Sequence, residues 1–159
     1  MDMLVNLLKL PPLGAEVSAM EAAGVSVRRA EVFEMSLLRE FVEKHFSRAW
    51  ADEISAGYSN KPVSIYVAVR EGVAIGFAAY ECTRKGFFGP VGVVERERGR
   101  GVGRALLFAC LWGLRELGYV YGIIGGVGPV EFYERAVGAT VIPGSSPGIY
   151  RDMLRRQKD

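Results

Sequence analysis

The stretch ERERGRGVGRAL, residues 95–106, decides the fold prediction, because four arginines and three glycines stand directly before one of the most apolar segments of the chain. Before it, FFGPVGVV (residues 87–94) predicts a strand, and after it residues 101–117 predict a helix that Gly118 ends. A glycine-rich turn between a strand and a helix presents free backbone N–H groups beside the positive end of the helix dipole. This arrangement is typical of a phosphate-binding site.

The rest of the chain predicts further strands and helices around this unit. Apolar residues at helical spacing predict a helix over residues 35–46, and Ser47 is a cap for a second helix towards Gly57. The hairpin turn Glu71-Gly72 predicts antiparallel pairing in the first half, whereas the unit around the glycine-rich turn predicts one parallel crossover. The remaining predictions are strands over residues 25–30, 64–70, 73–82, 119–126, 139–143 and 148–154 and a helix over residues 129–137. The class is therefore α/β (α+β mixed).

Composition excludes several classes of function. The chain has 159 residues, 50% of them apolar and 24% charged, which predicts a globular protein with one main domain. A formal charge of +2 is too small for a general nucleic-acid binder, so we expect no nucleic-acid partner. The longest apolar run, residues 105–114, is about half of what a membrane helix needs, so we expect no membrane partner.

The N-terminal residues predict an extension and a cellular location. Residues 1–24 contain one short apolar segment followed by Pro11-Pro12, so we expect an N-terminal extension that contributes an edge strand, with the domain spanning residues 25–159. Asp2 stands in place of a basic flank, which argues against a signal peptide and predicts a cytoplasmic protein. Cys82, Cys110 and His45 lack any metal-ligand spacing, so we expect no metal.

Three phosphate-binding motifs compete for the glycine-rich turn. The nucleotide-hydrolysing P-loop requires Lys and then Ser or Thr after its last glycine, but Arg104-Ala105 follow Gly103. The dinucleotide fingerprint G-x-G-x-x-G fails because Leu106 stands at its third glycine. The pattern Q/R-x-x-G-x-G/A is matched in full by RGRGVG, residues 98–103.

This hexad, with the strand VGVV before it and the helix RALLFACL after it, resembles the acetyl-CoA loop of the GNAT superfamily of acyl-CoA-dependent N-acyltransferases. GPVEFYERAVGA, residues 128–139, is similar to the superfamily's helix with the FY-E-x-x-G-F/A pattern and places Tyr133 at its tyrosine. The predicted element order agrees over residues 25–154. The resemblance implies the GNAT fold: a mostly antiparallel mixed sheet of about seven strands, with a parallel splayed central pair and helices on both faces.

The resemblance also implies the cosubstrate, acetyl-CoA, and the residues that bind it. The pantetheine arm lies along the strand of residues 91–94, where Gly92 leaves the backbone accessible, and the amides of residues 98–104 receive the pyrophosphate. The implied cofactor-binding residues are Val91, Val93, Val94, Arg98, Gly99, Arg100, Gly101, Val102, Gly103, Arg104 and Phe132. One departure is Gly126, which stands where many relatives carry an Asn that contacts the pantetheine.

For catalysis, the resemblance implies that Tyr133 protonates the departing thiolate, and Glu81 is the best carboxylate for the base, acting directly or through water. The alternatives are that Tyr133 only packs as an aromatic side chain and that Glu81 is a solvated charge at the end of a strand. We expect transfer of acetyl to a primary amine, of a small molecule, by direct attack in a ternary complex. Protein N-terminal or lysine acetylation and a non-catalytic CoA-binding sensor remain alternatives, and Phe108 or Trp112 suggests a homodimer.

Overall fold

The computed structural model describes residues 1–158, which form seven strands and five helices. The strands are β1 (Met3–Asn6), β2 (Ser26–Arg29), β3 (Ile65–Arg70), β4 (Val73–Tyr80), β5 (Phe87–Val93), β6 (Tyr121–Ile124) and β7 (Thr140–Val141). The helices are α1 (Leu13–Ala22), α2 (Met35–His45), α3 (Arg48–Ser55), α4 (Val102–Glu116) and α5 (Val130–Val137). The strands form a mixed sheet in the order β2-β3-β4-β5-β6-β1-β7, which confirms the predicted fold class.

The centre of the sheet is split between β5 and β6. These two strands are parallel and pair only at Phe87 with Ile123 and Phe88 with Ile124. Strand β6 ends there, whereas β5 continues to Val93, so residues 89–93 have no strand partner on this side. We call this gap the β5–β6 opening, bounded by residues 89–93 and by residues 125–129 after β6. It confirms the splayed parallel pair that the resemblance implied.

Helices cover both faces of the sheet, as the sequence analysis predicted. On one face, α4 contributes the fully buried Leu106 and Leu107 to a core that also contains Met3 and Val5 of β1. On the other face, apolar side chains of α2 and α3 pack around the fully buried Phe77 of β4. Ser47 caps α3 as predicted, because its Oγ accepts the N–H of Trp50 at 3.1 Å. The sheet is therefore fixed from both sides around the β5–β6 opening.

Helix α4 is apolar around most of its circumference because α1 covers the face that the sheet leaves open. Phe108 is 1% exposed, with the Arg104 guanidinium 5.1 Å from its ring centre. The Nε1 of Trp112 donates to the carbonyl of Pro11 at 2.9 Å, and Arg115 stacks on its ring. Phe108 is therefore unavailable to a second copy, whereas Trp112 is half-buried, and the homodimer stays a prediction.

Residues 1–24 pack into the same sheet as the rest of the chain. Strand β1 lies between β6 and β7, so the expectation of an edge strand was wrong. Helix α1 was not predicted, because its apolar residues follow no single stripe and Gly14 lies in its first turn. Its place is set by α4, to which it is joined by the ion pair of Arg104 Nε and Glu16 Oε1 at 3.2 Å.

The strand predicted over residues 148–154 is also wrong. Residues Gly148–Tyr150 form a single 3-10 turn, in which the N–H of Tyr150 donates to the carbonyl of Pro147 at 3.2 Å. The apolar residues Ile149, Met153 and Leu154 of this segment are all exposed. Alternating apolar letters alone therefore produced the wrong prediction, because no neighbouring strand pairs with them.

Candidate functional site

The turn before α4 has a backbone that favours glycine at two positions. Gly99 has φ of +74° and Gly101, which caps α4, has φ of +87°. Both values lie in the left-handed region, which residues with a Cβ rarely adopt. The two glycines of the hexad RGRGVG therefore shape the turn that leads from β5 to α4.

The turn and the first turn of α4 present a row of free amides. The first helical bond runs from the N–H of Ala105 to the carbonyl of Gly101 at 3.0 Å, so the amides before it have no acceptor within the helix. Within residues 1–158, the amides of residues 99–104 have no hydrogen-bond acceptor. The Arg98 amide differs, because it donates to the carbonyl of Glu95 at 3.2 Å. The free amides at the start of α4 are therefore those of residues 99–104, one residue fewer than the range 98–104 that the resemblance implied.

The arginine side chains of the stretch do not act together. Arg98 Nε donates to the carbonyl of Val93 at 3.0 Å and lies beside the β5–β6 opening. Arg100 instead reaches Glu97 at 3.6 Å, and Arg104 pairs with Glu16 of α1. Only Arg98 therefore turns towards the opening, whereas residues 100 and 104 contribute their amides.

Glu97 anchors the turn to the sheet. Its carboxylate is 6% exposed and accepts from Arg70 Nε at 3.2 Å and Arg70 Nη2 at 3.1 Å. The hydrogen bonds from Arg70 lower the pKa of Glu97, so the pair stays ionised at neutral pH. Arg70 also donates to the carbonyl of Ala23, which ties the turn to the end of α1.

The β5 side of the opening offers free backbone groups at alternate residues. The Val94 amide donates to Ile75 of β4 at 2.9 Å, and its carbonyl accepts from Glu97 at 2.9 Å. Because an antiparallel ladder alternates, the N–H groups of Val91 and Val93 point away from β4 and into the opening. The N–H groups of Val91 and Val93 are therefore free, whereas the Val93 carbonyl already accepts from Arg98 Nε and both backbone groups of Val94 are bonded.

Gly92 serves a different purpose from the one that the resemblance implied. A Cβ built on Gly92 would lie 2.5 Å from Cε1 of Phe46, just after α2. Phe46 stacks on Trp50 with ring centres 5.7 Å apart and packs against Phe77 at 5.4 Å. Gly92 is therefore needed for this aromatic cluster, which fixes α3 against the sheet.

We expect Gly92→Val to destabilise the protein by about 1–3 kcal/mol, because the Phe46 ring must move out of an occupied position. Urea unfolding followed by circular dichroism measures the change. The control is Gly14→Ala, since a Cβ at Gly14 meets nothing within 4 Å and helical alanine is favourable. Equal stability of the two variants would contradict this role of Gly92.

Two cavities meet at the β5–β6 opening. One, the loop cavity, has a volume of about 380 Å³, and the other, the vertex cavity, has about 240 Å³. Both are lined by Trp50, Phe88, Val91, Pro129 and Tyr133. The loop cavity adds Phe46, Gly92, Val93, Arg98, Gly103, Leu107 and Phe132. The vertex cavity adds Gly89, Pro90, Ile124, Gly125, Gly126, Val127 and Gly128. A larger cavity of about 520 Å³ between α2 and the β2 edge contains none of these residues.

Tyr133 stands where the two cavities join. Its side chain is 6% exposed and lies edge-on to Phe88 and Phe132, with ring centres 6.3 Å and 5.0 Å away. Burial raises the pKa of Tyr133 above its usual value of 10.0, so the hydroxyl stays protonated at neutral pH. A protonated hydroxyl at this place can donate a proton, as the sequence analysis expected of Tyr133. Phe132, 37% exposed, forms part of the loop cavity.

Glu81 lies elsewhere, in the turn between β4 and β5. Its Oε1 accepts the N–H of Gly86, and its backbone has φ of +58°. The carboxylate also faces the Tyr119 hydroxyl and, with burial, raises the pKa of Tyr119. Glu81 lines neither cavity. The structure therefore gives it a role in shaping the turn and does not bring it to Tyr133, because the turn closes the end of β5 opposite to the opening.

We expect Glu81→Gln to keep kcat within about twofold of the unchanged protein, because the amide oxygen of Gln still accepts from Gly86 and no proton transfer is lost. Steady-state release of free thiol from acetyl-CoA measures this. A tenfold or larger fall in kcat at an unchanged melting temperature would restore Glu81 as the base.

One contact of the site escaped the sequence analysis. The Oδ1 of Asp2 accepts the N–H of Gly126 at 2.9 Å, and the Met1 carbonyl accepts the N–H of Val127 at 2.9 Å. These bonds hold the segment after β6 that walls the vertex cavity. No local signal could have revealed them, because the partners are more than 120 positions apart in the sequence.

Two classes of feature are absent from residues 1–158. This part of the chain holds no group of three His, Cys, Asp or Glu side chains suited to a metal ion. Nor does it contain a helix with the length and apolar character that crossing a membrane requires.

The free amides before α4, the split sheet and the buried tyrosine surround one opening in a mixed α/β fold. The model of the acetyltransferase (GNAT) family matches residues 30–139. The chain therefore belongs to this family.

Solved structures show the same fold. A glucosamine N-acetyltransferase region of a fungal multi-domain β-N-acetylglucosaminidase superposes with a TM-score of 0.69 at 19% identity, over 86% of this chain and 19% of that one. A GCN5-related N-acetyltransferase from Sphaerobacter thermophilus superposes with a TM-score of 0.66 at 22% identity, over 89% of this chain and 47% of that one. A GNAT acetyltransferase from Brucella melitensis in complex with acetyl-CoA superposes with a TM-score of 0.55 at 22% identity, over 70% of this chain and 80% of that one. The chain thus spans less than half of the first two, and no curated protein matches it.

Proposed function

We propose that this protein transfers an acetyl group from acetyl-CoA to a primary amine of a small molecule, by direct attack in a ternary complex. The observation that carries the proposal is the β5–β6 opening, which has free amides at one end and Tyr133 at the junction of its two cavities. The family membership supports acyl transfer in general, and the substrate and mechanism are our proposal.

In this proposal the pyrophosphate of acetyl-CoA binds the amides of residues 99–104, beside the N-terminus of α4. The pantetheine arm then extends along β5 as an additional strand and bonds to the free N–H of Val93. This path leads from the loop cavity towards the vertex cavity and brings the thioester to Tyr133.

The reaction follows from this placement. The amine nitrogen attacks the thioester carbon, and the Val91 N–H, which also points into the opening, stabilises the tetrahedral oxyanion. When the C–S bond breaks, the thiolate takes the proton of the Tyr133 hydroxyl, and a proton from solvent then restores that hydroxyl. No carboxylate within residues 1–158 lines either cavity, so we assign the loss of the amine proton to water. The products are the N-acetyl amine and CoA.

The test combines binding with turnover. Calorimetry with CoA measures the cofactor site, and free thiol release from acetyl-CoA against a panel of small amines, lysine peptides and N-terminal peptides measures the reaction. Turnover with a small amine supports the proposal. Turnover only with peptides would favour protein N-terminal or lysine acetylation, and CoA binding without turnover would favour a non-catalytic sensor. The predicted cytoplasmic location stays a prediction.

A further inference from the structure

The peptide between Gly125 and Gly126 is held in one orientation by a buried carboxylate. Asp2 is 8% exposed, and its Oδ1 accepts the N–H of Gly126 at 2.9 Å. A hydrogen bond to an ionised acceptor is about twice as strong as a neutral one. Asp2 is itself fixed, because its N–H donates to Ser145 Oγ at 2.8 Å and its carbonyl accepts from Ile142 at 2.9 Å.

This orientation determines where the Gly125 carbonyl points. The peptide is trans, so its C=O and N–H point in opposite directions. Asp2 directly precedes β1, which pairs with β6 on the side away from β5. The Gly126 N–H therefore points towards β1, and the Gly125 carbonyl points towards β5 and into the opening. Gly125 lines the vertex cavity, and within residues 1–158 no group donates to its carbonyl.

We infer that Asp2 is a positioning residue, which aims the Gly125 carbonyl at the opening so that it accepts a hydrogen bond from an N–H group of the bound substrate. This inference rests on the proposed function, since both substrates carry such a group: the pantetheine amides and the acceptor amine. It also gives this chain a polar contact beside Gly126, where the asparagine of many relatives is missing.

The test compares Asp2→Ala with Asp2→Asn, whose amide oxygen still accepts from Gly126. We expect Asp2→Ala to weaken the binding of one substrate by about tenfold, which corresponds to about 1.4 kcal/mol, because one hydrogen bond to that substrate is lost. We expect the binding of both substrates to Asp2→Asn to remain within twofold of that to the unchanged protein. A raised Kd for CoA identifies the pantetheine amide as the donor, and a raised amine KM at an unchanged Kd for CoA identifies the acceptor. Adenosine 3′,5′-bisphosphate, which lacks the pantetheine, should bind both variants like the unchanged protein.

Asn6→Ala is the matched control, because it removes a side-chain hydrogen bond at the other end of β1, to the N–H of Leu8, and leaves Asp2 and its partners in place. We expect its KM and Kd values to stay within twofold. A purely structural role of Asp2 predicts instead that Asp2→Ala weakens the binding of all three ligands, the bisphosphate included, and this result would overturn the inference.

A measurement without substitution covers the case in which Asp2→Ala fails to fold. The carbonyl ¹³C resonance of Gly125 in the labelled protein should shift when CoA, or CoA together with the amine, is added. An unchanged resonance at saturation would overturn the inference alone, since turnover would still support the proposed function. Absence of CoA binding by the unchanged protein would overturn both.

Discussion

Gly101→Glu is expected to raise the Kd for CoA by more than about 100-fold, which corresponds to about 2.7 kcal/mol, while the protein remains folded. Two effects act together. Position 101 has φ of +87°, so a side chain strains the cap of α4, and its Cβ would lie 3.3 Å from Met20 Cε. The new carboxylate also stands among the free amides and repels the pyrophosphate. Calorimetry with CoA measures the loss, and circular dichroism verifies the fold.

The control Gly101→Asn separates strain from charge. Asparagine tolerates the left-handed region better than most residues and carries no charge, so we expect a smaller loss of affinity than for glutamate. Gly103→Ala is a second control in the same turn, because a Cβ there would lie 3.7 Å from Val93, an ordinary contact. CoA affinity in folded Gly101→Glu equal to that of the unchanged protein would refute the assignment of residues 99–104 as the phosphate cradle.

The parts of the site that the sequence predicted are those defined by neighbouring residues. Gly99 and Gly101 shape the turn through their own φ angles. The amides near them are free because α4 begins at Val102, and the first amides of a helix have no acceptor within it. Tyr133 was identified by a pattern within a single helix. The physical cause of such features lies within a few neighbouring residues, so a short sequence motif is enough to predict them.

The parts that the sequence did not predict depend on long-range contacts. Gly92 was interpreted as space for a ligand, but the space is filled by Phe46 from another element. Glu81 was the best carboxylate candidate because it lies near the end of the strand before β5, yet the turn directs it at Gly86. Asp2 contacts Gly126 only because β1 inserts between β6 and β7, which the predicted edge strand did not include. Register and strand order decide these contacts, and no local pattern encodes them.

Tyr133→Phe is expected to lower kcat by about 100-fold at neutral pH and to leave the Kd for CoA within about twofold. The phenyl ring keeps the contacts of Tyr133 with Phe88 and Phe132, and within residues 1–158 its hydroxyl makes no hydrogen bond whose loss would destabilise the fold. The variant lacks the hydroxyl that donates a proton to the departing thiolate. Stopped assays of thiol release with the best amine measure kcat, and Tyr121→Phe, an exposed tyrosine outside both cavities, is the control.

The pH dependence of this variant tests the role of the hydroxyl more strictly. Burial raises the pKa of Tyr133 above 10.0, so the acid stays protonated and its contribution should persist up to that pH. Departure of the thiolate without a proton does not depend on the pH of the solution, because the sulfur carries no titrating proton while it is bound to carbon. We therefore expect the ratio of kcat between the unchanged protein and Tyr133→Phe to stay constant between about pH 7 and 9. A ratio that falls to one within this range would show that a group with a lower pKa than Tyr133 acts instead, and a kcat of Tyr133→Phe within twofold at pH 7 would show that Tyr133 only packs beside Phe132 and that the thiolate departs without its proton.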